Sequence, residues 1–183
     1  MGKRLLAVAL CLCLMWMGIP VYGEEEVLEA AAPVDQLPAR SAILIDQASG
    51  RVLYEKEPDL QLPPASITKV MTLLLVMEAI QQGKLSLDTE ITTSSHAASM
   101  GGSQIWLKEG ETMSVDDLLK ATAISSANDA AVALAEAVAG SEEAFVAQMN
   151  QKAKELGMSN TQFYNATGLD AQGHLSSARD VAT

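Results

Sequence analysis

Residues 63–83 read Pro63-Pro64-Ala65-Ser66-Ile67-Thr68-Lys69-Val70-Met71-Thr72-Leu73-Leu74-Leu75-Val76-Met77-Glu78-Ala79-Ile80-Gln81-Gln82-Gly83, and this stretch decides the fold. Two prolines stiffen its approach, no helix breaker interrupts Ser66 to Gln82, and Gly83 supplies a stop, so a helix is predicted over 66–82. Ile67, Val70, Met71, Leu73, Leu74, Leu75, Val76, Met77 and Ile80 cover nearly all of its sides. A helix that is apolar all round belongs in the centre of a domain or in a membrane. Lys69 and Glu78 bracket only eight residues, far short of the roughly 20 that a spanning helix needs, so a central, buried helix is expected.

Working toward the N-terminus, Ser41-Ala42-Ile43-Leu44-Ile45-Asp46 and Arg51-Val52-Leu53-Tyr54-Glu55-Lys56 read as two strands. Gln47-Ala48-Ser49-Gly50 is the turn that joins them into a hairpin. Glu24 to Arg40 is acidic, alanine-rich and broken by Pro33 and Pro38, as expected of a linker over residues 24–40. Residues 1–23 read as a signal peptide. Lys3-Arg4 form a basic start, Leu5 to Ile19 an apolar stretch, and Val21-Tyr22-Gly23 a small-residue cleavage site before Glu24.

Cleavage there leaves a chain without cysteine, since Cys11 and Cys13 both lie in the leader, so disulfide and thiolate chemistry are excluded from the mature protein. It also removes Lys3 and Arg4, taking the formal charge from −11 to −13. Nucleic acid is not expected as a partner of so acidic a surface. The remaining length suffices for one domain, expected over 41–183, with a core built from hydrophobic burial alone.

Toward the C-terminus, short β-like pieces occur around Ile91-Thr92-Thr93 and Ile105-Trp106-Leu107. Ser114 and Asp117 form a capping box for a helix through Ile124, and the pattern breaks at Ser125-Ser126-Ala127-Asn128. Helices are expected over 129–139 and 141–156, closed by Gly140 and Gly157, making a compact helical lobe. Ser177-Ala178-Arg179-Asp180 is one more capping pattern, just before the chain stops at Thr183. A helix cut within its first turn cannot stabilise itself, so a fragment is expected.

Two constellations carry chemistry. Ser66 and Lys69 stand three apart at a helix start, on one face and within reach of a hydrogen bond. Apolar neighbours disfavour the ammonium, so Lys69 could accept the serine proton, while the helix start favours developing negative charge. The plainer reading is a serine cap with an exposed lysine one turn on. Ser126-Ala127-Asn128 follows at the break between two helices, where a hydroxyl could relay a proton and an amide could hold a carbonyl or Lys69. Its plainer reading is a turn that caps the next helix. The pairing of the two motifs favours chemistry.

Together these motifs resemble those of the D-alanyl-D-alanine carboxypeptidases, the low-molecular-mass penicillin-binding proteins. The matching passages are Pro63 to Lys69, Met100-Gly101-Gly102-Ser103, Ser126-Ala127-Asn128-Asp129-Ala130 and Asn165-Ala166-Thr167-Gly168-Leu169-Asp170. The resemblance implies an α+β fold of the β-lactamase/transpeptidase type, here an N-terminal hairpin, a central helix and a helical lobe. It implies a serine peptidase acting on peptidoglycan stem peptides that end in D-Ala-D-Ala, with β-lactams as mimics that trap the acyl-enzyme. Ser66 would be the nucleophile, Lys69 the base, Ser126 the proton relay, and Asn128 the residue that positions substrate and Lys69. No cofactor and no metal is implied. Membrane association would come through a C-terminal segment beyond Thr183.

One departure stands out: the family's K-T-G or K-S-G strand, which contacts the substrate carboxylate and completes the oxyanion hole, is absent from these 183 residues. The hairpin is all that is expected of the family's five-stranded sheet. A class A β-lactamase would need a deacylating glutamate after the second motif, and residues 158–183 hold none. A Ser–His–Asp hydrolase would have to use His96 or His174, and neither lies near a G-x-S-x-G elbow. A remnant without activity is the reading from outside enzymology. The Asn165-Ala166-Thr167 sequon is expected to be a structural loop.

Overall fold

The computed structural model describes residues 37–183, and the compact unit Ala39–Thr183 carries every element below. The signal peptide expected at 1–23, and residues 24–36 of the expected linker, lie outside the described residues. No helix among the described residues is long and apolar enough to cross a membrane.

Strands β1 (Ala42–Ile45) and β2 (Val52–Lys56) form the expected antiparallel hairpin, with Ala42 opposite Lys56 and Ile45 opposite Val52. Its turn closes through Gly50, whose left-handed backbone lets its N–H reach the Asp46 carbonyl at 2.8 Å. A 3₁₀ turn over Ala65–Ile67 leads into helix α1 (Thr68–Gln81). Strand β3 (Glu90–Thr92), the short helix α2 (Ser95–Ala98) and strand β4 (Thr112–Ser114) follow, β3 and β4 pairing as a second antiparallel ribbon.

The helical lobe is α3 (Val115–Ile124), α4 (Asn128–Ala139) and α5 (Glu142–Glu155). The local signals work as read. Ser114 accepts the Asp117 N–H at 3.1 Å, Ser141 accepts the Ala144 N–H at 3.2 Å, and α4 ends at left-handed Gly140. Ser177 likewise accepts the Asp180 N–H at the start of α6 (Ala178–Val181). Before α6, the segment at Leu175-Ser176 bridges antiparallel to Gln162 on one side and Leu62 on the other.

The centre of the molecule is α4, which packs against α1, α2, α3, α5 and β3. Every residue from Asn128 to Ala135 is buried. Its alanines let neighbouring helices approach closely, and Leu134, Leu118, Val115, Phe145, Met149 and Val76 fill the space around it.

Three expectations need correction. Ser66 does not sit on the α-helix but on the 3₁₀ turn before it, because Ala65 is left-handed (φ +48°) and α-geometry begins at Thr68. Helix α1 is not buried all round. Ile67, Val70, Leu74 and Met77, spaced three and four apart, form an exposed apolar stripe, with Val70 65% exposed, while Met71, Leu75, Val76 and Ala79 face the core. Finally, Ile105-Trp106-Leu107 is not a strand, and β3 pairs instead with Thr112–Ser114. The amides of Ile105 and Leu107 both donate to the Asp129 carboxylate, at 3.2 and 3.0 Å, which turns Trp106 into left-handed backbone (φ +64°) between them. Amides taken by a carboxylate cannot join a ladder.

Candidate active site

Local sequence alone places Ser66 and Lys69 together. The 3₁₀ turn delivers the serine and the first turn of α1 delivers the lysine, leaving Lys69 Nζ 3.4 Å from Ser66 Oγ. Ser66 is exposed, whereas Lys69 is buried, 4% exposed. Burial pushes the amine below the ordinary lysine range, since a desolvated ammonium is disfavoured. Its other partner is the Thr167 carbonyl, at 2.8 Å. One hydrogen bond to a neutral carbonyl aims the amine without restoring a full counter-charge.

That carbonyl belongs to the loop that the sequence marks at Asn165-Ala166-Thr167 as structural. Asn165 Oδ1 accepts the N–H groups of Thr167 and Gly168, at 3.1 and 2.7 Å, and its amide donates to the Leu169 carbonyl at 2.8 Å. The side chain thus folds the loop from inside, in the manner of an Asx turn. The loop grips α1 again one turn on, where Thr72 donates to the Ala166 carbonyl at 2.7 Å. Gly168 lies against the 3₁₀ turn itself. A Cβ there would fall 1.8 Å from the Ala65 carbonyl oxygen and 3.0 Å from the Ser66 nitrogen, so no larger residue fits beside the Ser66 backbone.

The second motif forms the N-terminal end of α4. Ser126 adopts left-handed backbone (φ +54°), and its Oγ is buried without a hydrogen-bond partner. Strained backbone and an unmet buried hydroxyl are both costly and both concentrate at functional sites. Asn128 does not bond Lys69. Its amide donates to the Gly101 carbonyl at 2.7 Å, and its own N–H to the Ser103 carbonyl at 2.7 Å. Gly102 keeps this contact open, because a Cβ there would sit 2.8 Å from Asn128 Nδ2 and 3.5 Å from Leu169. The loop at 101–103 thus approaches both Asn128 and Leu169 of the 165–170 loop.

Neither imidazole bonds a serine side chain. His96 lies on α2 and pairs with Glu142 at 2.7 Å, which raises its pKa, and Glu142 also accepts the Ala166 N–H at 2.9 Å. His174 is buried against Thr68 and Tyr164. A cleft of about 480 Å³ opens beside the 3₁₀ turn, lined by Pro63, Ala65, Leu169, Asp170, Gln172 and His174.

Sequence reasoning placed Thr167, Gly168 and Asp129 in family passages and weighed His174 only for a triad, without the contacts the structure shows. The loop residues were within reach as turn chemistry, since Asn-x-Thr-Gly is a strong turn signal. That the loop closes on Lys69 was not legible, because its contact spans 98 residues.

Residues 27–183 match the D-alanyl-D-alanine carboxypeptidase family, and the chain belongs to it. It is 57% identical over 144 residues to D-alanyl-D-alanine carboxypeptidase DacF of Bacillus subtilis, a match covering 79% of this chain and 37% of that protein. It is 45% identical over 167 residues to DacC of Escherichia coli, covering 88% of this chain and 41% of the relative. Among solved structures, DacD of Francisella tularensis superposes with a TM-score of 0.78 at 42% identity, covering 80% of this chain and 35% of the other. Penicillin-binding protein D2 of Listeria monocytogenes, in its ampicillin-bound form, gives a TM-score of 0.69 at 35% identity, covering 79% and 58%. The α+β fold is thus that of the penicillin-binding carboxypeptidases, and the chain spans 37 to 41% of the length of these two curated relatives.

Proposed function

We propose that this chain supplies the Ser66–Lys69 wall of a serine-type D-Ala-D-Ala carboxypeptidase acting on peptidoglycan stem peptides. The observation that carries the reading is the Lys69 amine, buried, lowered in pKa and held by the Thr167 carbonyl 3.4 Å from the exposed Ser66 hydroxyl. Ser66 Oγ attacks the carbonyl carbon between the two terminal D-alanines and gives its proton to the neutral Lys69 amine. The tetrahedral oxyanion collapses, the C–N bond breaks, and terminal D-Ala leaves as its amine takes a proton relayed through Ser126. Water then attacks the Ser66 ester, passing a proton to Lys69, which returns it to Ser66 Oγ as the ester bond breaks and the shortened peptide leaves. Asn128 and the Gly101–Ser103 loop hold the substrate amide. A β-lactam enters as a mimic of the dipeptide and stops at the ester.

Export supports the same reading, since stem peptides lie outside the cytoplasm. Lys3-Arg4, the apolar stretch after them and Val21-Tyr22-Gly23 favour cleavage before Glu24, and N-terminal sequencing of the exported protein should begin there. Residues 24–183 by themselves carry no K-T-G strand, and losing one oxyanion donor costs on the order of 10²–10³ in rate, so this piece should label weakly or not at all. The direct test uses the full-length protein and fluorescent penicillin. Ser66→Ala should abolish covalent labelling, and labelling that persists in that variant would assign the nucleophile elsewhere.

A further inference from the structure

Two residues beside the catalytic pair have a partner that the chemistry above does not use. His174 is 3% exposed, and both of its ring nitrogens are engaged. Nδ1 faces the backbone N–H of Tyr164 at 3.1 Å. An N–H donor can be met only by an unprotonated ring nitrogen, so Nδ1 is bare and the ring proton sits on Nε2. Nε2 then donates to Thr68 Oγ1 at 2.8 Å. Burial favours the same neutral ring by lowering the histidine's pKa. Phe163 packs against the ring in a T-shaped contact, with centroids 5.7 Å apart and planes at 71°.

Thr68 is itself buried and stands between Ser66 and Lys69 at the first position of α1. The segment from 163 to 174 thus holds this helix at Thr68 through a side chain, and at Lys69 and Thr72 through the carbonyls of Thr167 and Ala166. The two carbonyl contacts fix the lysine and the turn beyond it. Gly168 packs against the Ala65–Ser66 backbone without a hydrogen bond to it, and the imidazole bonds the side chain of the residue at which the 3₁₀ turn passes into α1.

Resting on the reading of Ser66 as nucleophile, we infer that His174 is a positioning residue, whose Nε2–H bond to Thr68 sets the angle of the Ser66 turn against the Lys69 amine. It touches no reacting atom. Misplacing a nucleophile by about 1 Å can cost on the order of 10²-fold in rate, so the bond acts on acylation more than on binding.

The test measures fluorescent-penicillin acylation by the full-length protein, with affinity and thermal unfolding followed in parallel. His174→Leu should slow acylation on the order of 10²-fold with little change in affinity. His174→Gln should recover most of that loss, because its amide oxygen can accept the Tyr164 N–H while its NH₂ donates to Thr68. Thr68→Val keeps the shape of the site and removes only the acceptor, so it settles the question even if His174→Leu fails to fold. It should lose as much as His174→Leu, and the double variant should be no slower than either single one, since the two act through one bond. Wild-type acylation by Thr68→Val, or no rescue by His174→Gln, overturns the inference while leaving Ser66 in its role. A wild-type protein that labels no better than Ser66→Ala overturns both.

Discussion

Helices α1 and α4 each carry a serine motif at the N-terminal end, yet they meet their surroundings in opposite ways. Helix α1 is built from large apolar side chains on every face, and a stripe of them, Ile67, Val70, Leu74 and Met77, lies open. Helix α4 is built largely from alanine and is enclosed over the whole of Asn128–Ala135. Composition all round a helix therefore says little about enclosure. Small residues permit approach from several sides at once, whereas bulky ones fill the space on one side and stand out on the other. The chemistry is divided the same way. At α1 Ser66 is exposed and Lys69 buried, while at α4 the Ser126 hydroxyl is buried and unmet.

The largest expected effect breaks the comparison at the helix starts, where α1 presents a titrating amine, the proposed base Lys69, and Ser126 and Asn128 present no titrating group. Because the folded pKa of Lys69 is lowered from 10.5, acylation should climb about tenfold per pH unit until that depressed value is reached, then level off. Stability moves with it. Between the depressed value and 10.5 the unfolded chain holds more protons than the folded one, so stability should rise with pH across that window. An acylation rate that shows no fall toward low pH while the protein stays folded would remove Lys69 as the base.

Next in size, the same truncation should read differently in the two helices. Leu134→Ala empties a site that is 0% exposed and should destabilise this chain by about 2–5 kcal/mol. Leu74→Ala, at a site 38% exposed, should cost about 1 kcal/mol or less. Urea unfolding of both variants checks this, and equal losses would mean that the α1 stripe is covered in solution.

The smallest effect concerns the link from α5 to the loop that holds Lys69. Glu142 raises the pKa of His96 above 6.5, so the pair's contribution is fully present below pH 6.5 and fades as pH rises through the raised value. His96 is partly exposed, which limits the pair to about 0.2–1 kcal/mol. His96→Gln should lower the melting temperature slightly at pH 5 and leave it unchanged at pH 9.

What the sequence disclosed was what neighbours decide. The hairpin turn at Gly50, the caps at Ser114, Ser141 and Ser177, and the stops at Gly140 and Gly157 all act within a few residues, and each was legible. So was the Ser66–Lys69 pair, whose spacing is one turn. The strand reading of Ile105–Leu107 went wrong because its amides are taken by Asp129, more than twenty residues away. The contacts that aim Lys69 and Thr68 span 98 and 106 residues, and no local pattern announces a partner at that distance. Nor does a uniformly apolar α1 announce which of its faces will be covered.

Trp106 gives the molecule an optical handle. The chain has two tryptophans, Trp16 and Trp106, so removal of residues 1–23 leaves one indole. That indole is 75% exposed, on a loop held through Asp129 and adjoining the Ser103 contact of Asn128. A ring already in water emits at nearly the same wavelength whether the chain is folded or not, so unfolding should be nearly silent in its colour. A blue shift or quench would then report something settling over this loop, read without any attached dye.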